Sequence, residues 1–123
     1  MNKFEAIQAF WSSFGLKAYD ASTVPTGDLK PEYPYITYDV TVGSLGEYTA
    51  MSASIWYYGS GWSAAVTKMT EIETAIGRGG VMLPCDGGAV WIKRGSPFAQ
   101  RTPDPNDMIR RILLNIEAEF VTA

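Results

Sequence analysis

The residue types that carry most enzymatic chemistry are scarce in this chain. It has no His and a single Cys, Cys85, which closes off an imidazole base, a Ser-His triad, a His-ligated zinc and a thiolate cluster. A reactive thiol needs a neighbouring base or cation, and Cys85 reads instead as a small residue at a turn or strand end. Carboxylate pairs remain. Glu117 and Glu119 fall on one side of a strand, where acids two apart form a solvated or subunit-facing row rather than an acid/base couple. Asp104-Pro105-Asn106-Asp107 has the oxygen-rich character of a calcium loop but lacks its glycine and closing Glu. Gly77, Gly79 and Gly80, and Gly87 and Gly88, fit neither phosphate-binding pattern and sit where a helix cap and a hairpin turn use glycine. Arg94, Arg101, Arg110 and Arg111 flank a Pro-rich stretch. They offer charge to DNA phosphates or to a partner's carboxylates, without the aromatic stacking pattern of a known nucleic-acid module, so a solvated or interface-pairing role is expected. No catalytic residue, metal ligand or cofactor site emerges, and the chain does not read as an enzyme.

The elements that position these residues start from the stretch Tyr48 to Gly77. Met51, Ala53, Ile55 and Tyr57 alternate with Ala50, Ser52, Ser54 and Trp56, the period of a strand. Gly59-Ser60-Gly61 is a hinge, and Trp62, Ala65, Met69, Ile72 and Ile76 recur at helical spacing up to Gly77. Strand and helix must fold back on each other, which locates the core. Upstream, Asn2 followed by Glu5 predicts a helix cap, and Phe4, Ile7, Trp11 and Phe14 predict an aromatic inward stripe closing at Gly15, with Phe10 just off it as an exposed contact. A short extended piece, Leu16 to Tyr19, leads into Asp20 to Tyr33, read as a long loop. Tyr35 to Val42 reads as a strand with Tyr35, Thr37, Asp39 and Thr41 on its outer side, and Gly43 to Glu47 joins it to the next strand as an antiparallel hairpin. Val81 to Pro84 is predicted as an edge strand, Ala89 to Arg94 as its partner, Gly95 to Asp107 as a second long loop, and Arg110 to Thr122 as a half-buried final strand with Asn115, Glu117 and Glu119 outward.

The expected fold is therefore one α+β domain over residues 1–123: a mostly antiparallel sheet of four or more strands with two helices packed on one face. Composition agrees, at 46% hydrophobic, 19% charged and a net charge of −3. That balance gives no global attraction for nucleic acid or an anionic membrane. The start lacks a secretory pattern, so a cytoplasmic origin is expected. The uncharged run at 48–67 has the length of a membrane crossing, but its serines, glycines and strand alternation argue against one.

The order helix, Pro-rich loop, long hairpin, helix, short hairpin and final strand, together with Pro34-Tyr35-Ile36-Thr37-Tyr38, the segment from Trp91 to Phe98 and the ending Arg111 to Phe120, resembles the small tail terminator or tail completion proteins of long-tailed bacteriophages. The resemblance implies a structural protein made in the bacterial cytoplasm and carried into the virion at the head-tail junction. There it would form a homo-oligomeric ring, typically of six, that stops tail-tube polymerisation and presents a surface to the head. Its expected partners are further copies of itself, the tail tube protein and a head completion or connector protein. On this reading the subunit contacts fall to Tyr35, Thr37, Asp39, Trp56 and Tyr58 of the hairpin, Arg94 and Arg101 beside the second loop, and the row Asn115, Glu117 and Glu119. Two other readings compete: a stopper-like connector on the head side, and a small module that cups a ligand or single-stranded nucleic acid on Trp56, Tyr57, Tyr58 and Trp62.

Overall fold

The computed structural model describes residues 1–121. Its elements are α1 (Lys3–Ser12), β1 (Lys17–Asp20), β2 (Tyr35–Tyr38), β3 (Tyr48–Tyr58), α2 (Ser63–Ile76), β4 (Val81–Cys85), β5 (Gly88–Thr102) and β6 (Ile109–Val121). The strands form one sheet in the order β1-β2-β3-β6-β5-β4, antiparallel throughout except for the parallel pair β1 and β2. The fold is the expected α+β arrangement, with β4 as an edge strand.

Alternation decides which face is covered. Met51, Ala53 and Ile55 of β3 stand opposite Ile116, Leu114 and Ile112 of β6, and all six are buried. Ile36 and Tyr38 extend this face across β2, and Val90 and Ile92 extend it across β5. Ala65, Ile72 and Ile76 of α2 close over the middle strands. The other helix, α1, packs against both β1 and β4, so the sheet curls until its two edges meet the same helix. Each large apolar side chain buried here contributes roughly 1.5–3 kcal/mol.

The start of α1 carries the capping box: the Asn2 side chain accepts from the Glu5 N–H at 2.8 Å and the Glu5 carboxylate accepts from the Asn2 N–H at 2.9 Å. Its buried set differs from the expected stripe. Phe10 is only 8% exposed, whereas Phe4 is 50% exposed. At about 100° per residue the inward arc centres between Ile7 and Phe14 and takes in Phe10, leaving Phe4 at its margin. The helix also stops at Ser12 rather than near Gly15, yet Phe14 still reaches the core beyond its end.

Three spans depart from expectation. The strand read as Tyr35 to Val42 ends at Tyr38, because Asp39 turns its carboxylate onto the Ser52 N–H at 2.9 Å and the Ser52 hydroxyl at 2.7 Å. The chain from Val40 to Glu47 then leaves the ladder, with Val42 and Leu45 exposed. The segment Gly95 to Asp107, read as a loop, is strand as far as Thr102. Pro97 is tolerated because it lies within the register shift between Arg94 and Ala99, where ladder donors are not needed. The Asp20 to Tyr33 loop holds two short 3₁₀ turns, Ala21–Thr23 and Gly27–Leu29, the first capped by Asp20 accepting from the Ser22 N–H. Thr122, the expected last residue of the final strand, lies outside the described residues.

Candidate assembly surface

The face of the sheet away from the helices is where most of the singled-out residues meet. Registers Tyr35↔Trp56↔Arg111 and Thr37↔Ser54↔Leu113 set them side by side, and the same parity continues along β6 through Asn115, Glu117 and Glu119. The Trp56 indole N–H donates to the Thr37 hydroxyl at 2.9 Å, and the Tyr35 ring stacks on Trp56 with centroids 5.9 Å apart and planes 11° from parallel. Tyr33 bridges Tyr35 and Tyr58 at 5.3 and 5.6 Å, and Tyr19 meets Tyr35 edge-on at 6.2 Å. The outcome is a continuous tract of aromatic rings at one end of the outer face.

Arg111 borders this tract. Its guanidinium lies 4.6 Å from the Trp56 ring and its Nε donates to the hydroxyl of the buried Ser54 at 3.0 Å. Burial, with the neighbouring Tyr33 charge and hydrogen bond behind it, pushes the Tyr35 hydroxyl up to about 12, and the Arg111 charge works in the opposite direction. A groove of about 550 Å³ continues past the tract between Lys17, Tyr19, Lys30 and Tyr33, with Leu29 79% exposed on its wall.

The other end of the outer face is different. Lys93 lies opposite Glu117 in register, and its ammonium sits 3.7 Å from the ring of Trp91 and donates to the Tyr48 hydroxyl at 2.7 Å, the two residues that flank Glu119 in register. Among the described residues neither Glu117 nor Glu119 has a cation within ion-pair distance. Asn115, between the two ends, donates to the Pro97 carbonyl at 3.1 Å and so ties down the irregular part of β5.

Other expected contact residues lie elsewhere. Arg94 faces the helices and pairs with Glu73 of α2 at 3.5 Å. Arg101 also lies on the helix side, 4.8 Å from the Trp62 ring, and Arg110 approaches the same ring at 5.4 Å. Arg110 donates to the carbonyls of Asp107 and Ser60, pinning the β5–β6 connection to the hinge before α2. Asp39 sits just past β2, its carboxylate taken by Ser52. Arg101, Arg110 and Arg111 thus do lie against aromatic rings, which their sequence positions did not disclose because the ring partners come from other elements. The four rings of the ligand-module reading are divided: Trp56 and Tyr58 belong to the outer face, Tyr57 and Trp62 to the helix side. They do not form one stacking platform.

Tyr19, Tyr33 and Arg111 belong to the outer tract; none is among the ring contacts expected from the resemblance, although Arg111 is read with the other arginines as solvated or interface-pairing. Signals for two of them were present. Tyr33 precedes Pro34 at a spacing of two from Tyr35, and Arg111 continues the period-two row of Asn115, Glu117 and Glu119. Tyr19 had none, since nothing local announces that β1 pairs in parallel with β2.

No model of a known protein family and no curated protein sequence matches the chain. Among solved structures it is similar to a chain described as the virion of a native gene transfer agent (GTA) particle, with a TM-score of 0.58 and 20% identity over 94% of this chain and 88% of that one. At that identity the likeness establishes a shared fold across nearly the whole chain.

Proposed function

We propose that this chain is a structural subunit of a phage-like virion, which assembles as a ring at the head-proximal end of the tail tube, ends tube polymerisation and presents the surface to which the head joins. The observation that carries the reading is the fold shared along 94% of the chain with a component of a virion particle. The resemblance of the element order and of the Trp91 to Phe98 and Arg111 to Phe120 segments to tail terminator proteins supports the finer role. So does the surface itself: a half-exposed aromatic tract bounded by charge is suited to protein contact, since aromatic rings and Arg dominate buried interface centres.

Electron microscopy of lysates in which the gene is inactivated, beside a complemented control, tests this. Overlong or headless tails next to filled heads are expected. Normal tails beside empty or leaking heads would move the role to a head-side connector, and fully normal infectious particles would remove the virion reading.

A further inference from the structure

We propose that α1 is an autoinhibitory guard of the sheet: together with Pro84 it closes both open edges against strand addition, so that free copies do not polymerise edge to edge. A sheet in the order β1-β2-β3-β6-β5-β4 leaves β1 and β4 with main-chain N–H and C=O groups on their outer sides, and such rows template a further strand from another chain. Both edges are short, four residues in β1 and five in β4, and α1 packs against each. The guard does not depend on the proposed place in a virion.

On β1 the closing residue is Gln8. Its carboxamide Nε2 donates to the Ala18 carbonyl at 3.1 Å and to the Ser12 hydroxyl at 3.0 Å, and its Oε1 accepts from the hydroxyl of the buried Tyr38. Both ends of the carboxamide are therefore engaged, and the Tyr38 donor fixes which end meets the strand. The groove beside β1 that an added strand would need is walled by Gln8 and Ser12 on one side and by Leu16 to Tyr19 on the other. An amide donor from the helix thus stands in for the N–H of a neighbouring strand, and a strand entering there would leave the buried Tyr38 hydroxyl without its partner. Exposed Lys17 adds a charge at the same edge, and Asp20 ends the strand by turning its carboxylate onto the Ser22 N–H and hydroxyl. On β4 the closure is covalent. Cys85 and Gly88 close a two-residue turn, so Cys85, Leu83 and Val81 bond to β5 while Pro84 and Met82 direct their main chain outward. Pro84 has no N–H to offer there. Just beyond, the Asp86 N–H donates to the Met1 carbonyl at 2.7 Å, which ties the chain entering α1 to the end of this edge.

The test opens the edges in the full-length chain. Gln8→Leu is combined with Tyr38→Phe, so that no buried hydroxyl loses its partner, and Pro84→Thr restores an N–H on β4; the three are also joined in one variant. That variant is expected to self-associate at roughly tenfold lower concentration than the wild type in analytical ultracentrifugation, the gain of one main-chain hydrogen bond per junction. Amide exchange is expected to slow at residues 17–20 and 81–85 as it associates, the mark of pairing at an edge. Pro84 is exposed, so Pro84→Thr is expected to keep the wild-type circular dichroism, to shift association in the same direction by itself, and to test the β4 edge even where the β1 variant folds poorly. Folded variants that associate no more than the wild type overturn the proposal. Association without new protection at either edge overturns it too, since another surface then carries the contact. Protection of the same amides when the wild type assembles does the same, since the edges are then in use rather than closed.

Discussion

Phe10 sits edge-on to both Trp11 and Phe14, with centroids at 4.9 and 5.3 Å, while Phe4 points its ring toward solvent. Truncating Phe10 to Ala is expected to cost about 3–5 kcal/mol, and the same change at Phe4 less than about 0.5 kcal/mol, measured by denaturant unfolding. Equal losses at the two positions would contradict the packing described. Tyr35 supplies a second residue-scale test. Burial favours its neutral form in the folded chain and raises its value from 10.0 to about 12. The associated stability is therefore complete below about pH 10 and is lost as the pH climbs through the folded value. Titration of the Tyr35 ring by carbon NMR is expected to give a midpoint near 12, and Tyr35→Phe to remove that part of the alkaline loss of stability. A midpoint at the ordinary phenol value would mean that the ring is not packed against Trp56 and Tyr33.

At the scale of elements, the segment after β2 should behave as its bonds dictate. The Asp39 N–H donates to the Ser52 carbonyl at 3.0 Å, but Thr41 reaches only the Met51 sulfur, at 3.4 Å. Amide exchange is expected to be slow at Asp39 and fast from Val40 to Ser44; protection throughout would restore the longer strand that alternation suggests. Gly80 is a tighter constraint. It has φ +84°, and a Cβ there would lie 2.5 Å from the Ile92 carbonyl oxygen and 2.6 Å from the Trp91 indole nitrogen. Gly80→Ala is expected to destabilise by about 2 kcal/mol or more in a thermal melt. Those elements also mark how far the sequence is legible. Strands such as β3 and β6 announce themselves, because burial on one face imposes a strict period of two on their residues. The extent of β5 does not, since Pro97 is a breaker in isolation and becomes permissible only where β6 is locally out of register. The early end of β2 is hidden for a similar reason: Asp39 suits the alternation and is diverted by a serine thirteen residues away. The site follows the same division. Tyr35, Thr37 and Trp56 share a face by local alternation, as Arg94 shares the helix side with Val90 and Ile92, whereas the helix-side position of Arg101 depends on the register shift between Arg94 and Ala99.

The whole molecule is a curled sheet with one face closed by helices and the other left as a broad surface that carries a tract of aromatic rings at one end. If charged side chains carry the subunit contacts of the proposed ring, raising the ionic strength should weaken self-association progressively, because the Debye length falls from about 10 Å at 0.1 M salt to about 3 Å at 1 M. Analytical ultracentrifugation across that range checks this, and an association strengthened by salt would indicate apolar contact through the aromatic tract instead. Gold-labelled antibody against this chain, applied to purified particles and to detached tails, locates it in the electron microscope. One focus of label per tail is expected, at the end that joins the head, on both whole particles and free tails; label along the tube, at the distal tip, on heads only or on no particle would contradict the proposed place in the virion.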